Sequence, residues 1–155
     1  MKYWLLKTEP NTYSWQDLVN EPDKTTFWEG VRNYQARNLM RDEMQEGDLA
    51  FIYHSVVKPP AIHGIARIVR AAYPDHYAHD PGHKYFDPKD DPDNPRWVMV
   101  DVQAVQAVDP PVTLDEIKKT PELQNMVLVN NSRLSVQPVQ PEEWRFILSM
   151  RGISL

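Results

Sequence analysis

Residues 97–108, WVMVDVQAVQAV, place Val98, Val100, Val102 and Ala104 on one side of a period-two pattern and Trp97, Asp101 and Gln103 on the other. Alternation sustained over that length predicts a β-strand with one face buried. Working outward, a second strand is predicted at 62–73 and a third at 48–54, joined through Lys58-Pro59-Pro60. Gly64 interrupts the former, which signals a bulge or a close approach to the backbone. Residues 2–7 (KYWLLK) and 134–139 add a first and a last strand.

Helix signals fall between these strands. Ser14 with Asp17 has capping-box spacing, and Thr113 with Glu116 repeats it. A helix is predicted from about Asn33 to Met44, with Ala36, Leu39, Met40 and Met44 on one stripe. Thr120-Pro121 opens a further turn, and Pro141 to Gly152 frames the last helix. The strands and helices do not alternate regularly, so a doubly wound parallel sheet is not expected. The expectation is an α/β (α+β) fold: a small mixed β-barrel of about five to six strands surrounded by short helices.

The 155 residues suit a single domain, residues 1–155, large enough to bury roughly 70% of its unfolded surface. There is no cysteine, which removes disulfides and thiolate metal sites. No apolar run is long enough to span a bilayer, and MKYWLLKTEP turns polar too soon for a signal peptide. The expectation is a soluble, cytoplasmic monomer with no membrane partner, no cofactor and no metal.

The net charge is −5, which argues against coating nucleic acid by overall field. The charge is unevenly spread. Residues 74–95 hold six aspartates against two lysines, whereas Arg32, Arg37 and Arg41 outweigh Glu29 between Trp28 and Arg41. The acidic segment is expected to be a solvated surface loop. Its His76, His79 and His83 fit no standard metal-ligand spacing.

Chemistry concentrates in residues 28–38, WEGVRNYQARN, expected at the start of a helix. Two aromatics, two arginines and two asparagines surround one glycine. A flat ring, amide donors and acceptors, and guanidinium groups are what a pocket for a phosphorylated base requires.

The ordered blocks YWLLKTEP (3–10), YSW (13–15), WEGVRNYQARN (28–38), GDLAFIYHS (47–55), the Trp97 strand with Val100-Asp101, and SRLSVQPV (132–139) resemble the EVE domain, as in the thymocyte nuclear protein family. The resemblance spans essentially the whole chain. It implies a PUA-like fold and recognition of nucleic acid, with 5-methylcytosine or 5-hydroxymethylcytosine in DNA as the ligand, and no established catalysis. Eukaryotic members carry a basic tail before this domain, whereas Met1 here leads directly into the first strand. That departure implies a free-standing, bacterial-type protein and counts against a nuclear location.

By the same resemblance, Trp28 would stack on an extruded base, a contact worth about 1–3 kcal/mol, with Tyr53 or Trp15 as a second wall. Val31 belongs to the same wall segment. Asn33 and the Lys7-Thr8-Glu9 turn would meet the base edge. Thr8, His54 and Ser55 are candidates for a hydroxymethyl group. Arg32, Arg37 and Arg133 would hold phosphates, although Arg133 could instead pair with Asp101 or Asp48. Trp15, Trp97 and Trp144 also follow core-like patterns. Rival readings are an RNA-binding module, an enzyme using Lys7, Glu9 and His54 as acid–base groups, and an interaction module working through the acidic loop.

Overall fold

The alternating 97–108 pattern lies inside the longest strand of the computed structural model, which describes residues 1–131 and 133–155. Ser132, the first residue of the SRLSVQPV block, lies outside the described residues. The strands are β1 (Tyr3–Thr8), β2 (Thr25–Trp28), β3 (Leu49–His54), β4 (Ala61–Pro74), β5 (Val98–Thr113) and β6 (Val136–Val139). The helices are α1 (Trp15–Val19), α2 (Tyr34–Asp42), α3 (Leu114–Lys118), α4 (Val127–Asn130) and α5 (Pro141–Met150).

The strands form one mixed sheet in the order β2-β5-β4-β3-β1-β6. β1 and β3 run parallel, and the other neighbouring pairs are antiparallel. That parallel pair, whose crossover is made by α1, β2 and α2, has no signature in strand–helix alternation. Trp28 closes β2 instead of opening a helix, and α2 begins only at Tyr34.

Local chemistry fixes the helix starts. Ser14 Oγ accepts from Asp17 N at 3.0 Å, and the Asp17 carboxylate accepts from Ser14 N at 2.8 Å, a complete capping box. Asn33 Oδ1 accepts from Ala36 N at 3.0 Å and so caps α2. At α3 only half the predicted box forms. Thr113 accepts from Glu116 N, but the Glu116 carboxylate turns to Arg151 Nη2 at 2.6 Å.

Both faces of the sheet are buried. One cluster takes side chains from every strand, including Trp28, Val100, Ile68, Ile52, Leu6 and Val136, together with Trp15 and Leu18 of α1 and Ala36 and Met40 of α2. A sheet whose six strands share one interior is curled into a barrel-like form. The second cluster lies on the outside, where Leu5, Phe51, Tyr53, Ile62 and Ile65 meet Ile117, Leu128, Trp144 and Ile147.

The curl has identifiable sources. The pairing of β4 with β5 shifts between Ile62 and Gly64 and again between Ile65 and Ala66. These irregularities end the inward run of Val98, Val100 and Val102, so that Val108 and Val112 belong to the outer cluster. Gly64 also meets its second expectation, since a Cβ there would overlap the Trp15 indole.

Candidate functional site

The two ends of the strand order, β2 and β6, are not hydrogen-bonded to each other among the described residues. A cavity of about 750 Å³ opens between them, a size suited to a small-molecule or base-sized ligand. Lys7, Thr8 and Glu9 line it from the end of β1, and Arg133 and Ser135 from the approach to β6. Thr26 to Val31 line it from β2 and the turn beyond, Ser55 and Val56 from the β3–β4 connection, and Lys84 and Tyr85 from the acidic segment. Thr12, Tyr13 and Glu21 complete the wall.

Backbone contacts hold the first group in place. Lys7 N donates to Ser135 O at 3.0 Å, and Ser55 N donates to Thr8 O at 2.9 Å. Thr8 Oγ1 donates to Tyr13 O at 2.6 Å, which brings the Tyr13 ring edge-on to Trp28, with centroids 6.3 Å apart and planes at 88°. The Tyr13 hydroxyl is pinned to Glu21 at 3.0 Å. The aromatic groups lining the cavity are thus Trp28, Tyr13, Tyr85 and Phe27, the last stacked on Tyr77.

The segment after Trp28 is fastened by the acidic stretch that was expected to be a solvated loop. Asp75 is fully buried. Its Oδ2 accepts from Gly30 N at 3.2 Å and from Arg32 Nη1 at 3.0 Å, while Arg32 Nε and Nη2 donate to Tyr85 O at 3.1 and 2.7 Å. Gly30 has φ +79, and a Cβ there would overlap the Tyr85 ring. Glycine is therefore required twice, for the left-handed backbone and for the close approach. The Trp97 indole, stacked on Tyr34 with centroids 4.9 Å apart, donates to Asp87 Oδ2 at 2.7 Å.

The charges lining the cavity balance: Lys7, Lys84 and Arg133 stand against Glu9, Glu21 and Glu29. Burial lowers the pKa of the Lys7 ammonium. Burial raises that of the Glu29 carboxyl, with the nearby His83 opposing the shift and Asp75 adding to it. Glu29 Oε2 is enclosed without a hydrogen bond, 3.3 Å from His83 Nε2. His83 is thus its one close polar neighbour among the described residues, and a buried oxygen without a hydrogen bond is costly.

Several sequence candidates lie elsewhere. Trp15 is buried between α1 and Gly64, and its backbone N donates to His54 Nε2 at 3.0 Å. His54 is buried and stacked on His63 at 3.8 Å. Burial, reinforced by His63, pushes its pKa down to about 4, so the ring is a neutral acceptor committed to the backbone. Tyr53 faces the outer cluster, on the opposite side of its strand from His54. Asn33 commits its Oδ1 to the capping bond and does not line the cavity.

Of the phosphate candidates, Arg32 is locked to Asp75 and Tyr85, and Arg37 donates to Arg96 O at 2.8 Å and to Asn38 at 2.9 Å. Arg133 is exposed at the cavity and makes no ion pair among the described residues. Asp48 instead receives Trp4 Nε1, and Asp101 receives the Tyr73 hydroxyl. The cavity does bring together Lys7, Thr8, Glu9, Trp28, Val31, Ser55 and Arg133. Sequence reasoning missed Tyr13, Glu29, Lys84 and Tyr85, although the first stands in the quoted YSW block and the second in WEGVRNYQARN.

The model of the EVE domain matches residues 2–150. Human thymocyte nuclear protein 1 is 42% identical over 96% of this chain and 73% of its own length. An uncharacterized protein from Schizosaccharomyces pombe is 44% identical over 94% of this chain and 66% of its own length. The chain thus spans about two thirds to three quarters of these relatives. Among solved structures, the human THYN1 protein in complex with 5-methylcytosine containing DNA superposes with a TM-score of 0.93 and 41% identity, covering 100% of both chains.

Proposed function

The chain belongs to the EVE domain family, and on that premise we propose that it is a non-enzymatic reader of a modified base in DNA. It accepts an extruded 5-methylcytosine or 5-hydroxymethylcytosine in the cavity between the two ends of its sheet. The observation that carries this reading is that the human relative, whose crystallised chain shares this fold throughout, was captured on 5-methylcytosine containing DNA.

The geometry supplies the chemistry such a reader needs. Trp28, Tyr13 and Tyr85 offer flat apolar surface for the ring, each base–aromatic stack being worth about 1–3 kcal/mol. The Glu29 carboxylate can accept from the exocyclic amine of a cytosine, the pairing acidic groups make with that base. Thr8 and Ser55 provide hydroxyls near the cavity, and Val31 provides apolar surface for a methyl group, whose burial contributes about 0.8 kcal/mol.

Because three cations face three carboxylates, phosphate attraction alone is a weak source of affinity. If Lys7, Lys84 and Arg133 alone meet phosphates, the logarithm of affinity should fall with that of salt with a slope of about −3. The acid–base alternative loses His54, whose accepting nitrogen is occupied by Trp15 N.

No helix among the described residues is long and apolar enough to cross a membrane. The human relative carries "nuclear" in its name. A DNA reader has to share a compartment with DNA, so the cytoplasmic expectation fits a cell without a nucleus.

The decisive experiment is a calorimetric titration with duplexes that differ only in one cytosine, 5-methylcytosine, 5-hydroxymethylcytosine or N6-methyladenine, and with the matching RNA. Tighter binding to a modified cytosine in DNA, lost in Trp28→Leu, is the expected result. Equal affinity for all duplexes would overturn the reader assignment, and preference for the RNA would move it to the other nucleic acid.

A further inference from the structure

The connection between β3 and β4 contains a side chain that neither folding nor solubility accounts for. Val56 is 77% exposed and lines the cavity mouth, yet its φ is +57. A lone exposed apolar residue is ordinary and would decide nothing. A β-branched residue in left-handed backbone is a true outlier, since glycine or asparagine occupies that region at far lower cost. Strain of this kind persists where the surroundings hold it and where the side chain has a use.

The surroundings do hold it. Immediately before Val56, Ser55 N is bonded to Thr8 O at 2.9 Å, and beyond it Pro59 and Pro60 stiffen the chain. Pro60 O then accepts from Leu114 N at 2.9 Å, which anchors the far side of the connection. The isopropyl group therefore projects from a rigid support beside the opening through which a base would enter.

Given the base-reading function proposed above, we propose that Val56 is a wedge that occupies the gap left in the double helix when the target base turns into the cavity. A vacated position in a base stack is flat-walled, apolar and costly to leave open. Apolar side chains inserted between base steps are a recurrent solution to that cost. The role is one of positioning: Val56 touches the neighbours of the extruded base and makes the extruded state cheaper.

Two variants separate this role from folding. Val56→Gly relieves the backbone strain, and Val56→Asn tolerates it while removing the apolar group, so each should melt at or above the temperature of the parent protein. Their affinities are measured for a duplex carrying one 5-methylcytosine and for a single strand of the same sequence. Both variants should bind the duplex about tenfold more weakly, with single-strand affinity within about twofold of the parent, because only the duplex has a stack to fill.

A 2-aminopurine next to the target reports unstacking by fluorescence and should respond less to either variant. Unchanged duplex affinity, or equal losses on duplex and single strand, would overturn the wedge. Failure of the parent protein to bind either substrate would instead overturn the base-reading function on which it rests.

Discussion

The outer face of the sheet is closed and the inner face is left open, although one set of strands supplies both. Outside, Trp144 is stacked between Tyr3, with centroids 4.7 Å apart, and Phe51, with centroids 4.0 Å apart, and the short C-terminal helices cover the remaining apolar surface. Inside, the buried cluster reaches Trp28 and Val31 and then stops at a space of about 750 Å³. Dispersion contacts are forfeited wherever a wall has no neighbour. Fold stability should therefore depend most on the outer face, and ligand affinity on the inner one.

The largest expected effect tests the closed side. Trp144→Ala removes a fully buried ring from between two others and should cost about 3–5 kcal/mol in denaturant unfolding, with the affinity of the remaining folded molecules unchanged. A parallel loss of affinity would break the division between the faces.

Next is the brace of the open side. Asp75→Ala strands Arg32 and the Gly30 N–H, and should cost about 2–4 kcal/mol. It should also release Tyr85 and the turn after Trp28, so affinity should fall far more than in Trp144→Ala. Binding titrations on both variants at matched folded fraction would check this.

A third test uses His54, which lies on the side of β3 away from the outer cluster. The folded pKa of His54 lies at about 4, below the ordinary histidine value of 6.5, because of burial and then His63, whose own pKa burial also lowers. Between these values the unfolded chain binds the proton and the folded chain does not. Stability is thus full above pH 6.5 and is lost as pH falls toward 4, by on the order of 3 kcal/mol for His54. Unfolding curves across that window should show the slope, and His54→Gln should reduce it.

The smallest effect sharpens the map of the rim. Arg133→Ala should lower affinity alike for modified and unmodified duplexes and make the salt slope shallower by about 1. Arg37→Ala should leave that slope unchanged, because its guanidinium serves Arg96 O and Asn38.

Local signals carried much of the fold into the sequence. The capping bonds of Ser14, Asp17 and Asn33 depend on residues three apart, and the Val98–Val102 alternation depends only on the pleat. β2 left no comparable trace, since TTFW is four residues long and follows Asp23 and Lys24, both in left-handed backbone. The helical VLVN of α4 is rich in β-branched residues and runs against its own propensity.

At the site, composition pointed to the right segments but not to the right side chains. Tyr53 and His54 are adjacent in sequence, and which faces the interior depends on curl and register, which no local pattern encodes. Arg32 looked free because its partner lies 43 positions away in a stretch whose aspartates suggested solvent.

The walls of the cavity come from residues near 7–13, 21–31, 55–56, 84–85 and 133–135, so short segments scattered from the first strand to the approach to the last must converge. No fragment of the polypeptide can hold the ligand, and no intermediate lacking either end of the sheet can either. Ligand recognition thereby requires the assembled topology, and recovery of binding after dilution from denaturant should keep pace with completion of the sheet.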